Sequence, residues 1–347
     1  IRDRLRTCCN RPDVLMIAGM REAGAFELPE GVDCISLPAY EKSADGSYHP
    51  RDLGVGLADL VALRSATILA AIQSYDPDLV IVDNVPRGAM RELDPVLKAL
   101  RKRARARIVL GLRDVIDRPS RVRSQWLRER NFEAIRRFYD AVWVYGDKVF
   151  YDTVGEYGLD GELGHKAHFV GYLDHTERLK SPEASALCEA VISGDPRPYV
   201  LCSVGGGRDG GALCRAVVGA ALPPGQFGVL VTGSQMARSM RNELQRLGRA
   251  RSEMLVLDFV KEPIAIMARA SRVVAMGGYN TICEALSLGV PTLVIPRSRP
   301  REEQLIRAER LAERGLISTL HCDDLSPSAI TDWLSRPASK SVSARSV

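Results

Sequence analysis

The stretch RVVAMGGYNTICEALSLGVPTLVIP, residues 272–296, contains the features from which the fold can be predicted. An apolar run ends at the pair Gly277 and Gly278, an amphipathic stretch follows, and a second apolar run ends at Pro296. Strand, tight corner, helix and strand in this order predict a βαβ unit. The N-terminus of the helix then lies at the carboxyl end of the first strand.

Glu284 falls inside the predicted helix, and two interpretations of it are open. Thr281 and Glu284 match a capping box, in which a threonine caps the helix and a glutamate three residues later bonds back to it. Alternatively, the carboxylate accepts hydrogen bonds from a ribose diol, while free N–H groups near the glycine pair hold a phosphate. Periodicity does not decide between these interpretations.

Short apolar runs alternate with helical patterns along the whole chain. Their near-continuous Val, Ile and Leu content is typical of strands buried on both faces of a parallel sheet. We therefore predict an α/β fold of two Rossmann-like doubly wound domains facing across a cleft. A length of 347 residues suits two domains. A polar stretch between Gly171 and Pro198 predicts an acceptor-binding domain at 1–173 and a donor-binding domain at 174–347.

The composition is that of an ordinary globular protein, with 46% apolar and 26% charged residues. A formal net charge of +5 is too small to indicate a nucleic-acid partner. Eight scattered cysteines without a C-x-x-C pair argue against a zinc site and favour a reducing cytoplasm. No secretory signal is visible, and we expect no apolar run near the ~18 residues of a membrane span.

A second glycine-rich turn, SVGGGRDGG at residues 203–211, follows a predicted strand and opens a helix. Gly205, Gly206 and Gly207 let the backbone approach a ligand, and the following helix presents N–H groups to an anion. The letters also fit G-x-G-x-x-G, but the next strand ends VLVTG, without the acidic residue that a dinucleotide site needs. A tight turn without a ligand is the remaining interpretation.

The segment PRSRPREEQLIRAERLAERG, residues 296–315, begins another predicted helix. Glu302 and Glu303 suit the positive end of its dipole, and a solvated charged face explains them equally well. Glu303 and Gln304 also offer adjacent hydrogen-bond acceptor and donor groups close to the end of a predicted strand. A sugar bound there would need such polar partners.

Taken together, residues 198–335 resemble the donor-binding domain of GT-B glycosyltransferases, most of all the MurG kind. The resemblance rests on the glycine pair, the helix with Glu284, the strand PTLVIP and the segment EEQLIRAERLAERG. LVIVDNVPRG, LGLRDVIDRP and YDAVWVYG in the first half are similar, less specifically, to poorly characterised bacterial glycosyltransferases. The resemblance implies transfer of a hexose-type sugar from a nucleotide-diphosphate sugar, with uridine as the favoured base, to an acceptor hydroxyl.

The resemblance also implies roles for individual residues. Glu284 binds the ribose of the donor, and Gln304, with Glu303, contacts the transferred sugar. The diphosphate is surrounded by Gly277, Gly278, Asn280 and Thr281, and the base is held near Phe259 and Val260. SVGGGRDGG occupies the place of the inter-domain glycine loop. The absence of a D-x-D motif predicts a reaction without a metal ion, and no cofactor is implied.

The chain departs from the family pattern at its start. The family opens with a strand and a glycine-rich loop ending in Gly-His, whose histidine commonly acts in catalysis, and nothing here matches it. We expect about twenty or more residues before Ile1 to carry that loop. Asp83 and Asp114, at predicted strand ends, are the candidate catalytic residues. Helix capping, or ion pairs with Arg113 or Arg87, is the alternative.

The arginine-rich stretch predicts either a solvated helix face or a surface that meets anionic lipid or an anionic acceptor. It contains Arg101, Arg103, Arg105, Arg107, Arg118, Arg121, Arg123, Arg128 and Arg130. The predicted location is cytoplasmic, with peripheral membrane contact open, and the acceptor stays unknown. A nucleotide-sugar epimerase or hydrolase of the same fold, or a non-catalytic nucleotide-sugar-binding subunit, are the rival functions.

Overall fold

The computed structural model describes residues 12–19, 28, 30–43, 47–161, 163–180, 182–192 and 195–337. Predictions about Ile1 and about the last ten residues therefore lie outside the described part of the chain. The chain divides into two compact units, residues 1–111 with 129–142 and residues 112–128 with 143–347. The domain boundary at residues 173 and 174 stays a prediction.

Strands and helices alternate in the first half of the chain. Its strands are β1 (Val14–Ala18), β2 (Val32–Ser36), β3 (Tyr40–Lys42), β4 (Tyr48–Pro50), β5 (Leu79–Asp83), β6 (Arg107–Arg113), β7 (Ala141–Tyr145) and β8 (Ala167–Phe169). Its helices are α1 (Leu57–Tyr75), α2 (Asp94–Arg103), α3 (Pro119–Arg128), α4 (Asn131–Phe138) and α5 (Thr153–Tyr157). The described strands pair as β1 with β2 in parallel, β3 with β4 antiparallel, and a four-stranded sheet of order β5-β6-β7-β8.

The second half repeats the alternation around one larger sheet. Its strands are β9 (Tyr199–Ser203), β10 (Phe227–Val231), β11 (Met254–Leu257), β12 (Arg272–Ala275), β13 (Thr292–Val294) and β14 (Ser318–Thr319). Its helices are α6 (Pro182–Ile192), α7 (Gly211–Gly219), α8 (Arg238–Arg249), α9 (Pro263–Met267), α10 (Tyr279–Leu288), α11 (Glu303–Ala312) and α12 (Pro327–Ser335). The strands predicted on either side of the glycine pair, before SVGGGRDGG and at VLVTG are confirmed as β12, β13, β9 and β10.

The sheet of the second unit is parallel throughout and runs in the order β11-β10-β9-β12-β13-β14. Every residue of β9, β10 and β12 is buried, because helices cover both faces. One face packs on residues such as Leu244, Ile330 and Trp333, and the other on Ile266 and Ala285. The strand order reverses between β9 and β12, where ligands bind at the carboxyl ends of such sheets.

Helix α1 corrects one expectation from the sequence. Its 19 residues are long and apolar enough, by length and composition alone, to cross a membrane, although we expected no such run. The helix buries Leu60, Arg64 and Ile68. Arg64 is ion-paired with the buried Glu92 at 3.2 Å and donates to the carbonyl oxygen of Pro38 at 2.6 Å. These contacts hold α1 within the first unit.

Candidate functional site

The glycine pair after β12 forms the N-terminus of α10. Gly278 is the N-cap residue, with extended backbone (φ −62°, ψ 141°), and no side chain caps the helix. Thr281 is therefore the third residue of the helix, so the predicted capping box is wrong. The N–H groups of the first turn lack a side-chain partner, which leaves the positive end of the helix available to an anion.

Glu284 instead pairs with an arginine from a distant part of the sequence. Its side chain is largely buried, with the residue 5% exposed, and its Oε1 accepts a hydrogen bond from Nη1 of Arg178 at 3.0 Å. Desolvation by burial raises the pKa of Glu284, and the guanidinium of Arg178 opposes that rise. A ribose hydroxyl that binds Oε1 of Glu284 at this position must therefore displace Arg178.

Arg178 lies in a short 3-10 helix, Thr176–Lys180, and has further partners there. Its Nε donates to Oε2 of Glu262 at 3.0 Å, and its Nη2 lies 2.8 Å from the same oxygen. Its Nη1 also lies 3.2 Å from Nδ1 of His175. Arg178 was not among the predicted site residues, because no motif around it signals a partner 106 positions away.

Gln304 packs directly against the glycine corner. A Cβ on Gly277 would lie 3.1 Å from both Cβ and the carbonyl oxygen of Gln304, so an added side chain there would crowd Gln304. Arg307 fixes the same corner by donating from Nη1 to the carbonyl oxygen of Gly277 at 2.9 Å. The structure thus brings together the residues predicted to contact the diphosphate and the sugar, while Asn280 is exposed and Thr281 is half-buried beside them.

Glu303 and Gln304 are both tied to Arg297 in the preceding loop. Nη2 of Arg297 is 2.6 Å from Oε1 of Glu303, and its backbone N–H donates to Oε1 of Gln304 at 3.1 Å. Nη1 of Arg297 reaches Oδ2 of Asp209 at 2.8 Å. One arginine therefore joins the predicted sugar contacts to the glycine-rich turn after β9.

The three glycines of that turn differ in what their conformation requires. Gly207 has φ +88°, and a Cβ there would clash with the backbone oxygen of Thr232, so it serves backbone packing. Gly205 has φ +62° with no atom within 4 Å of its Cβ position, and Gly206 meets only the side chain of Gln235 at 3.4 Å. Only Gly205 and Gly206 leave room for a ligand, and their predicted ligand contact stays a prediction.

The residues predicted to hold the base follow β11. Phe259 is 54% exposed, and Val260 is buried in the core. An exposed aromatic ring is available for stacking with a flat ligand.

The two candidate catalytic aspartates have different surroundings. Asp83 ends β5 and is exposed. Asp114 is 1% exposed, and its ion-pair partner is Arg307 rather than Arg113 or Arg87. Nη2 of Arg307 donates to Oδ1 of Asp114 at 2.7 Å, and Nε lies 2.9 Å from both carboxylate oxygens. Oδ2 of Asp114 also accepts from the hydroxyl of Tyr172 at 2.9 Å. Both oxygens are engaged in a buried ion pair, so we assign no chemical step to Asp114, and the role predicted for Asp83 stays a prediction.

Most of the arginines of the arginine-rich stretch have acidic partners or donate to backbone oxygens. The ion pairs include Arg101 and Arg107 with Asp140, Arg103 and Arg105 with Asp76, Arg118 with Glu302, Arg121 with Asp117, and Arg130 with Glu133. Arg123 donates to the carbonyl oxygen of Glu156. Pairing lowers the net positive charge that this stretch offers to an anionic surface.

One cluster has side chains of metal-ligand type. His321, Cys322 and Asp323 bring a ring nitrogen, a thiol and a carboxylate oxygen within 4.8 Å of one another. Nδ1 of His321, however, accepts the backbone N–H of Asp323 at 3.3 Å and so caps the 3-10 helix Cys322–Asp324. We interpret the cluster as a capped turn.

Comparison with known proteins identifies the kind of fold. Residues 215–344 match the glycosyltransferase family 28 C-terminal domain. An uncharacterized glycosyltransferase of Methanosarcina acetivorans is 32% identical over 120 residues, and the match covers 34% of this chain and 30% of that relative.

Solved structures match over nearly the whole chain. MurG of Acinetobacter baumannii aligns with a TM-score of 0.54 and 12% identity, covering 97% of this chain and 85% of MurG. A protein assigned as a UDP-N-acetylglucosamine 2-epimerase from Listeria monocytogenes aligns with a TM-score of 0.59 and 14% identity, covering 95% and 84%. At these identities the likeness shows the fold alone. The predicted α/β fold and the resemblance to GT-B glycosyltransferases are confirmed.

Proposed function

Because residues 215–344 match the glycosyltransferase family 28 C-terminal domain, we propose that the protein transfers a hexose-type sugar from a UDP-sugar to an acceptor hydroxyl. The observation that carries the proposal is the glycine corner at Gly277 and Gly278. There an uncapped helix N-terminus, a carboxylate one and a half turns into the helix and the side chain of Gln304 converge at the carboxyl end of β12. A diphosphate, a ribose and a sugar need these three kinds of partner.

The diphosphate is the leaving group of the proposed reaction. The acceptor oxygen attacks the anomeric carbon, the bond from that carbon to the diphosphate oxygen breaks, and the diphosphate leaves with the bonding electron pair. The N-terminus of α10 stabilises the negative charge that develops, without a metal ion. The acceptor proton passes to a general base, for which the exposed Asp83 is the proposed candidate.

The nucleoside half of the donor has a separate set of partners. Phe259 offers an exposed ring for stacking on uracil, and Glu284 accepts from the ribose hydroxyls after Arg178 has been displaced. The name of the Listeria relative contains a UDP-sugar, which supports uridine as the base.

The proposed partners are the donor and an acceptor whose identity is open. The described cysteines are free and four of them are buried, which supports a reducing, cytoplasmic setting. The proposed membrane contact would be made by the arginine-rich stretch, most of whose arginines are paired within the protein.

The second candidate is a UDP-sugar epimerase, which the Listeria relative favours through its fold. Incubation of the protein with UDP-glucose and UDP-N-acetylglucosamine, with and without a panel of acceptors, separates the functions. Acceptor-dependent UDP release with a glycosylated product supports transfer, and an epimer without UDP release supports the epimerase. UDP binding without turnover of either donor would leave only the non-catalytic binding subunit.

A further inference from the structure

Arg178 is held beside Glu284 by a second carboxylate. Its Nε donates to Oε2 of Glu262 at 3.0 Å and its Nη2 lies 2.8 Å from the same oxygen, whereas Nη1 donates to Glu284 at 3.0 Å. All three residues lie in the second unit. Two of the three guanidinium nitrogens are therefore engaged away from Glu284.

The three side chains differ in their exposure to solvent. The side chain of Glu284 is 7% exposed, that of Glu262 is 25% exposed and that of Arg178 is 37% exposed. The pair of Arg178 and Glu262 thus lies nearer to solvent than the carboxylate beside it. A ribose hydroxyl that takes Oε1 of Glu284 replaces one hydrogen bond of Arg178 and leaves its two contacts with Glu262 in place.

Burial is the largest influence on the ionisation of Glu284. Desolvation raises the pKa of Glu284, the charge and hydrogen bond of Arg178 lower it, and the charge of Glu262 raises it. A protonated carboxyl carries an O–H donor and is a weaker acceptor for the two hydroxyls of a ribose than a carboxylate. A positive charge that remains near Glu284 therefore favours the form that binds the ribose.

His175 is a further titratable group in contact with Arg178. Its Nδ1 lies 3.2 Å from Nη1, and because a guanidinium has only donors, Nδ1 accepts and the ring is neutral. Burial lowers the pKa of His175, the charge of Arg178 lowers it further, and the charge of Asp174 opposes this. Nη1 thus keeps an acceptor when a ribose takes Oε1 of Glu284.

We propose that Arg178 is a positioning residue of the donor site: anchored on Glu262, it stays beside Glu284 after a ribose hydroxyl has displaced Nη1, and its charge holds the carboxylate ionised in the complex. This role rests on the proposed function, since a ribose is assigned to Glu284 there. Arg178 then has two opposite effects on UDP binding. It competes with the ribose for Oε1, and it favours the ionised carboxylate.

Titration calorimetry with UDP at several pH values separates the two effects. Arg178→Met keeps an unbranched side chain and removes the charge. At about pH 8, where the carboxylate is ionised, only the competition counts, so Arg178→Met should bind UDP about two- to fivefold more tightly than wild type. Towards about pH 5, a proton on Glu284 competes with the ribose, so Arg178→Met should bind UDP at least about twofold more weakly than wild type. Arg178→Gln, a second uncharged variant, should show the same weakening.

Further variants test whether the effect passes through Glu284. Arg178→Lys keeps a charge and should follow wild type towards pH 5. In proteins that also carry Glu284→Gln, Arg178→Met should have no pH-dependent effect, and the titration of UDP itself cancels because it is common to every comparison. The reversal of affinities should persist when both proteins carry His175→Asn, which removes the titration of that ring. Circular dichroism confirms that each variant is folded.

UDP affinities that converge at low pH without crossing would make Arg178 a competitor only and would overturn the proposal. A reversal that survives Glu284→Gln, or one that disappears with His175→Asn, would overturn it too. If the wild type does not bind UDP, the proposed function is refuted and this role with it. UDP binding without a reversal refutes the role of Arg178 alone.

Discussion

Glu284→Gln removes the charge that the proposed donor site depends on and leaves the shape of the side chain nearly unchanged. In the wild type, each hydrogen bond from a ribose hydroxyl to the carboxylate contributes about 1.5–3 kcal/mol, whereas a neutral amide provides about 0.5–1.5 kcal/mol. Two such bonds favour glutamate by roughly 2–3 kcal/mol. Displacing Arg178, whose side chain is about one-third exposed, costs the glutamate up to about 1 kcal/mol more.

The balance predicts that Glu284→Gln weakens UDP binding by about 1–2 kcal/mol, or roughly tenfold. Titration calorimetry with UDP measures it, with circular dichroism confirming that both proteins are folded. Glu262→Gln is the matched control, because it removes the other partner of Arg178 and leaves Glu284 intact. Equal UDP affinities of wild type and Glu284→Gln, or the same loss in Glu262→Gln, would refute the reasoning.

The stabilities of Glu284→Gln and the wild type should also depend differently on pH. Burial raises the pKa of Glu284 above its usual value of 4.5, so the folded protein binds the proton more tightly than the unfolded chain. The stabilisation from this group is present below the unfolded pKa and is lost as pH rises through the folded pKa. Relative to wild type, Glu284→Gln should therefore gain stability as the pH rises above the usual pKa of 4.5. Urea unfolding of both proteins measures this, and a constant or opposite difference would contradict it.

The remaining predictions concern the corner, the buried ion pair and the arginines. Gly277→Ala should lower the free energy of unfolding by about 1–3 kcal/mol, because the new methyl group overpacks against Gln304, and it should weaken UDP binding. Gly278→Ala should leave the stability in urea unfolding nearly unchanged, because nothing lies within 4 Å of its Cβ position. Equal losses of stability in the two variants would contradict the close approach at Gly277. Asp114→Ala should cost about 3–5 kcal/mol by leaving Arg307 buried and unpaired; lost turnover at unchanged stability would instead indicate catalysis. Liposome association through the arginines should require anionic lipid and fall with salt, and salt-independent association would exclude this route.

Much of the second unit could be predicted from local pattern. The runs that became β9, β10 and β12 consist mostly of apolar residues, because helices cover both faces of the sheet. The corner at Gly277 and Gly278 was also readable, since two glycines between a strand and a helix indicate a tight turn. The same reasoning failed at Thr281, because the helix begins with Gly278 as its N-cap, three residues earlier than a capping box requires.

The ion pairs could not be predicted in the same way. Arg178 and Glu284 are 106 positions apart, and Asp114 and Arg307 are 193 positions apart. Hydrophobic periodicity reports which face of an element is buried, but it carries no information about which charged residue of another element lies opposite. The alternative predicted for Asp114, an ion pair, is confirmed, but its partner is Arg307 and not Arg113 or Arg87.

One positioning device at the site is visible in the sequence once the structure is known. Gln304 and Arg307 are three residues apart on α11, so they lie on the same face of the helix. Gln304 packs on Gly277, and Arg307 donates to the carbonyl oxygen of Gly277 while Asp114 neutralises its charge. The corner that begins α10 is thus held by two side chains of one helix face. Gln304 occupies the space beside Gly277 where a Cβ would lie, and Arg307 bonds to the backbone of Gly277. The direction of the N-terminus of α10 therefore depends on α11 as well as on the glycines.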